Sequence, residues 1–157
     1  EIMSSDWSSD VCSSDLIHLV FSTKNRKNWI QSEIESELHK YLASICRSFE
    51  CPALKIGGTE NHVHILCNLA RTINVSKLVE KVKTGSSKWI KTKGEDLSEF
   101  CWQNGYGAFS IGVSNIPALK KYILNQKKHH EKRSFQDEFR AILKKYNIQY
   151  DERYIWE

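Results

Sequence analysis

The run Glu60-Asn61-His62-Val63-His64-Ile65-Leu66-Cys67-Asn68-Leu69 constrains the fold of this chain more than any other stretch. Side chains alternate faces along an extended strand, so Val63, Ile65, Cys67 and Leu69 form one continuously apolar face that belongs on a core. His62 and His64 share the opposite face, ~6–7 Å apart. Two imidazoles so placed can converge on a single ion. Two polar residues on a solvated sheet face would give the same pattern, and the tripeptide alone leaves both readings open.

A second stretch, Tyr122-Ile123-Leu124-Asn125-Gln126-Lys127-Lys128-His129-His130, predicts a helix. Tyr122 and Gln126 are four residues apart and so lie on one face, a turn apart. A phenol can act as a nucleophile, and a carboxamide oxygen can complete a metal site begun by two imidazoles. By itself Tyr-x3-Gln also fits an ordinary half-buried tyrosine followed by a surface glutamine.

A chain of 157 residues suits one domain able to bury its own core. Its net charge of +4 understates a basic bias, because residues 1–15 hold four acidic side chains and no Lys or Arg. The remaining 142 residues carry 23 basic against 15 acidic groups, which favours a polyanionic partner. The five cysteines form no Cys-x2-Cys pair, and Cys46 and Cys67 fall at apolar positions. That usage argues against a disulfide framework or a cysteine zinc site and for a reducing cytoplasm. No apolar stretch approaches a membrane span and no signal-peptide pattern is present, so no membrane partner is expected.

Ser-Ser-Asp occurs at 4–6, 8–10 and 13–15, so residues 1–15 read as a low-complexity leader extraneous to a single domain over 16–157. Within that domain, Leu16 to Ser22 predicts a strand, with Ile17, Leu19 and Phe21 alternating against His18 and Val20. Gln31 to Glu50 has helical periodicity, and Ala53 to Thr59 predicts a strand that forms a hairpin with the His-Val-His strand. A second helix is expected over about 75–93 and a bent strand within Trp102 to Val113. The tyrosine helix is expected over Asn115 to Lys132, with Asn115 as N-cap and Pro117 in its first turn, and a last helix over Phe135 to Tyr146. The order β-α-β-β-α-β followed by helices predicts an α+β, ferredoxin-like split βαβ antiparallel sheet. Its helices cover one face and leave the other free for a ligand, and a C-terminal tyrosine-bearing helix is added.

Several ordered stretches together resemble the single-tyrosine transposases of small insertion sequences, members of the HUH endonuclease superfamily. They are Ile17-His18-Leu19-Val20-Phe21-Ser22-Thr23-Lys24, the Glu60–His64 segment, Trp102-Gln103-Asn104-Gly105-Tyr106-Gly107-Ala108-Phe109-Ser110 and Tyr122-Ile123-x2-Gln126-x2-His129-His130. Ser134-Phe135-Gln136-Asp137-Glu138 and Tyr150-Asp151-Glu152-Arg153-Tyr154 extend the likeness, which runs from about residue 16 to the end. The resemblance implies that His62, His64 and Gln126 bind Mg2+ or Mn2+ and that Tyr122 is the nucleophile. It further implies a 5′-phosphotyrosine intermediate, a single-stranded DNA substrate with hairpin ends, and a homodimer. The acidic leader stands where the family's N-terminus would lie and is a departure from the pattern.

Other residues have competing readings. His129 and His130 fit contact with DNA or the site as well as a basic helix end favoured by the dipole. His18 reads as structural or near the site rather than as a ligand, and Glu60 as a weak candidate to support the histidines. Lys83-Thr84-Gly85-Ser86-Ser87-Lys88 lacks the spacing of a phosphate loop and sits in a helix-like run. Contact of Ser86, Ser87 and Lys88 with a DNA backbone stays open there. Trp102, Tyr106 and Phe109 could stack on bases, with core packing as the default. Three function classes compete: a DNA strand transferase, a His-x-His metal hydrolase, and a non-catalytic hairpin DNA/RNA-binding module. The hydrolase needs a barrel of about 250 residues. Tyr122 together with Gln126 argues against the plain binder, which needs neither.

Overall fold

The computed structural model describes residues 15–131 and 133–146. Four strands, β1 (Asp15–Ser22), β2 (Ala53–Gly58), β3 (His62–Leu69) and β4 (Gly107–Ser110), form one sheet in the order β2-β3-β1-β4, every neighbouring pair antiparallel. With α1 (Ser32–Ser48) between β1 and β2, and α2 (Val75–Lys91) between β3 and β4, this is the expected α+β split βαβ sheet. The leader through residue 14 and the tail from residue 147 lie outside the described residues, whereas Asp15 is the first residue of β1.

The register follows the hydrophobic pattern. Ile17 pairs with Cys67, Leu19 with Ile65 and Phe21 with Val63, so these six side chains share one face. They form the main core with Leu38, Leu42 and Cys46 of α1 and Leu78, Val79, Val82 and Ile90 of α2. α2 starts where the Asn74 side chain accepts from the Lys77 backbone N–H at 2.8 Å, satisfying one free donor of the first turn.

The opposite face is not left open. α5 (Phe135–Lys145), capped by the Ser134 hydroxyl on the Asp137 N–H at 3.1 Å, lays Phe135, Phe139, Ile142 and Leu143 against Val20 and Phe109. Its apolar stripe at i, i+4, i+7, i+8 needs a surface to bury against, and this face supplies it. Gly107 of β4 makes the fit possible, because a Cβ there would come within 2.8 Å of Phe139 Cε1.

The expected continuous tyrosine helix is two segments, α3 (Ile116–Leu124) and α4 (Gln126–His129), parted at Asn125 with φ −95° and ψ 22°. Asn115 precedes α3 without a side-chain capping bond, while Pro117 stands in the first turn as expected. The bent strand is shorter than the alternation suggested. Trp102 makes only an isolated bridge with Thr23, and Ile111 and Val113 fall beyond β4 in the turn into α3. No helix among the described residues is long and apolar enough to cross a membrane.

Candidate active site

β3 is one of the two central strands, so the face opposite the main core carries His62 and His64 in the middle of the sheet, both fully buried. α3 packs across the neighbouring strand β2. Gly57, paired with His64, permits this: a Cβ there would lie 2.5 Å from the Ile123 carbonyl oxygen. The close approach brings Tyr122, and Gln126 just past the break, over the two histidines.

The structure thus brings together all four side chains singled out in the sequence. Gln126 Oε1 lies 2.8 Å from His62 Nε2, and the Tyr122 ring stands edge-on to the His64 ring with centroids 5.7 Å apart. Glu138 of α5, to which the sequence reading assigned no role, is at the centre of the group. Its Oε2 accepts from the Tyr122 hydroxyl and, at 3.0 Å, from the Gln126 amide. Its Oε1 is 3.5 Å from the Nε2 of both His62 and His64 and 2.9 Å from His130 Nε2. Glu138 sits at i+3 in the stripe Phe135, Phe139, Ile142, Leu143, and a carboxylate among apolar positions was the available signal.

The supporting contacts set the tautomers. Asn61 Oδ1 accepts from the Thr59 hydroxyl at 3.1 Å and from His62 Nδ1 at 2.8 Å, which leaves a lone pair on His62 Nε2. Burial, reinforced by His64, pushes the His62 pKa down to about 3, so the ring is neutral. Because Gln126 gives its amide protons to Glu138, its oxygen lone pair meets that of His62 Nε2. Two lone pairs facing each other at 2.8 Å repel unless a cation lies between them. His64 Nδ1 is hydrogen-bonded to His18 Nε2 at 2.8 Å, while His64 Nε2, buried, has no hydrogen-bond partner. The ligand atoms of His62, His64 and Glu138 all lie within 4.8 Å of one another. This donor set, two imidazoles with oxygen ligands, fits a divalent cation.

The charge balance is uneven in a telling way. Burial would raise the Glu138 carboxyl, but the hydrogen bond from His130 and the imidazoles of His64 and His62 close beside it hold it well below the carboxylate range. Burial and that carboxylate together raise the Tyr122 phenol well above its ordinary value. Desolvation also lowers His18 far below the usual imidazole range, with His64 beside it.

The other candidates divide. His18 is buried as a supporting partner of His64. His130 bonds to Glu138, and His129 lies 4.7 Å from the Tyr122 ring by centroid. Glu60 is exposed and supports neither histidine through its side chain, a place taken by Thr59 and Asn61. Ser86 is buried in α2, where its hydroxyl accepts from Trp102 Nε1 at 3.0 Å, so it is not a DNA contact. Lys83 donates to the carbonyls of Gln103 and Gly105 at 2.6 and 2.9 Å. Trp102 and Phe109 are packed in the two cores rather than presented for stacking.

Comparison with known proteins bears on the same segment. No curated protein matches the chain. Solved structures that share its fold include two transposases. One is a candidate transposase from Deinococcus radiodurans R1, with TM-score 0.58 and 18% identity, covering 79% of this chain and 98% of that one. The other is a REP-associated tyrosine transposase bound to a REP hairpin, with TM-score 0.59 and 13% identity, covering 81% of this chain and 74% of that one. The family described as "Transposase IS200 like" matches residues 12–126, a span that takes in β1, both histidines, Tyr122 and Gln126. The chain therefore belongs to the IS200-like transposases, the single-tyrosine HUH type that its sequence resembles.

Proposed function

We propose that this transposase cleaves and rejoins single-stranded DNA at hairpin-bearing element ends through a 5′-phosphotyrosine formed on Tyr122. One observation carries the reading: the Tyr122 hydroxyl, the Gln126 amide and the Nε2 atoms of His62 and His64 surround one buried carboxylate, Glu138, while Gln126 Oε1 lies 2.8 Å from His62 Nε2. Nucleophile and metal ligands are within reach of a single phosphate.

His62, His64 and Gln126 would hold a Mg2+ or Mn2+ ion, with Glu138 beside them. When bound, such an ion polarises the scissile phosphate and offsets its negative charge. The chain's own groups do the rest. Glu138 accepts the phenol hydrogen bond and so fixes where the Tyr122 oxygen points. That oxygen attacks phosphorus, the bond to the 3′-oxygen breaks, and the departing 3′-hydroxyl takes up a proton as the phenol loses one. The phosphodiester energy stays in the phosphotyrosine, so attack by another 3′-hydroxyl rejoins DNA without ATP. Lys120, Lys121, Lys127 and Lys128 flank Tyr122 in sequence and suit a DNA backbone, although Lys127 is engaged with Glu35. A hairpin partner is supported by the REP-hairpin complex of the structural relative. The homodimer belongs to the same reading, and here one chain already holds both tyrosine and histidines.

The test is an SDS-resistant adduct with 3′-labelled single-stranded hairpin DNA in Mn2+ or Mg2+. Tyr122→Phe is expected to abolish the adduct and to retain DNA binding within a few-fold. Wild-type protein that binds hairpins and never cleaves them would assign the chain to a binding module instead. Adduct on Tyr122→Phe would place the nucleophile elsewhere.

A further inference from the structure

Tyr122 and Glu138 form a wall shared by two cavities of different chemistry. The smaller, about 410 Å³, is walled by Ile111, Leu119 and Ile142, with Tyr146, Asn115 and His18 also lining it. Two exposed cations, Arg133 and Lys145, border it. The larger, about 740 Å³, is polar and carries Asn125, Lys128 and His129 together with Arg133, which borders both.

We propose that the smaller cavity is a nucleobase subsite: it takes one unstacked base of the strand that Tyr122 attacks, while the phosphates of that strand run past Lys128, His129 and Arg133. The proposal rests on Tyr122 as nucleophile and adds what the site recognises. A phosphate delivered to Tyr122 carries a nucleoside on each side, so a base must lie next to this wall. The volume suits a nucleoside-sized guest. Its apolar walls exclude a solvated phosphate and accept a neutral aromatic ring.

Tyr146 is set for stacking. Its ring lies on Phe109 with centroids 4.8 Å apart and planes 18° apart, so its orientation is already fixed and little rotamer freedom remains to be lost. Asn115 offers one amide donor pair and one acceptor, the groups that read the edge of a base. His18 joins the cavity to the histidine pair, because it lines the wall and hydrogen-bonds His64 at 2.8 Å. Filling the subsite therefore reaches the ring that faces the scissile phosphate. Ala118, exposed on α3 and also part of the lining, leaves the space that a larger side chain would close.

The probe is 2-aminopurine deoxyribonucleoside 5′-monophosphate, whose fluorescence is quenched on stacking, titrated into the full chain. Saturable quenching is expected, displaced by dAMP and retained in Tyr122→Phe. Ala118→Trp should weaken it at least tenfold without lowering the melting temperature, and Tyr146→Ala should reduce the quenching itself. Equal binding by wild type and Ala118→Trp would overturn the proposal. A second arm sequences the covalent adducts formed on hairpins with randomised single-stranded flanks. Wild type should prefer certain bases at one position beside the cleaved bond, and Ala118→Trp should lose that preference about tenfold while still forming adduct. Adducts with no such preference overturn the subsite. Absence of any wild-type adduct, with nucleotide quenching intact, would instead defeat the assignment of Tyr122.

Discussion

At the residue scale, the histidine pair was legible because strand periodicity is local: alternation by two puts His62 and His64 on one face in any register. Gln126 was singled out by its four-residue spacing from Tyr122 only together with the family resemblance, because the spacing alone also fits a surface glutamine. Glu138 was not, since its place depends on α5 folding across the sheet, a contact 76 residues from His62. The buried carboxylate yields a prediction. Glu138→Ala leaves the Tyr122 hydroxyl, the Gln126 amide and His130 without their acceptor. The expected loss is about 1–3 kcal/mol, read as a melting temperature several degrees lower. Acid sensitivity follows from the histidines. Burial holds His62 near 3 and His18 well below 6.5, so on acidification the unfolded chain takes up protons that the folded chain refuses. Stability is then lost as pH falls from 6.5 toward 3, by up to roughly 1.4 kcal/mol per unit for His62, and His18 adds in the same direction. Glu138, held below its ordinary 4.5, adds in the same direction at lower pH. Thermal melts from pH 8 to pH 4 should show this slope, and His62→Gln should flatten it.

At the element scale, strand order and the two core helices were readable from hydrophobic period. The break at Asn125 was not, because the inward turn of Gln126 toward His62 is a tertiary contact that helix propensity does not encode. The alternation of Phe109, Ile111 and Val113 also misled: Ile111 walls a cavity and Val113 is 75% exposed, so neither extends the sheet. Gly57 tests how α3 is placed. Gly57→Ala would put a methyl 2.5 Å from the Ile123 carbonyl, and backbone has to move. The expected cost is about 1–3 kcal/mol. Because Ile123 adjoins Tyr122, adduct formation should fall tenfold or more while hairpin binding changes little. Equal losses in both assays would mean that α3 serves binding rather than the position of the nucleophile.

At the scale of the whole molecule, the basic excess beyond residue 15 predicts strongly salt-dependent binding of single strands. With about four phosphates engaged, affinity should drop more than tenfold between 50 and 200 mM salt, and Lys128→Ala should make that slope shallower by about 0.7. Removing residues 1–14 leaves β1 starting at Asp15, so fold and binding are expected to be unchanged in melts and in hairpin titrations. The two faces of the sheet differ in the depth of their packing. Among the described residues, nineteen buried ones make up the main core, whereas six form the cluster that holds α5 to the other side. Backbone amides of α5 should therefore exchange with deuterium through local openings, orders of magnitude faster than those of β1 and β3, whose exchange waits for global unfolding. Each such opening lifts Glu138 from the histidines, so the transposase samples a bare histidine pair at a rate that hydrogen exchange can read directly.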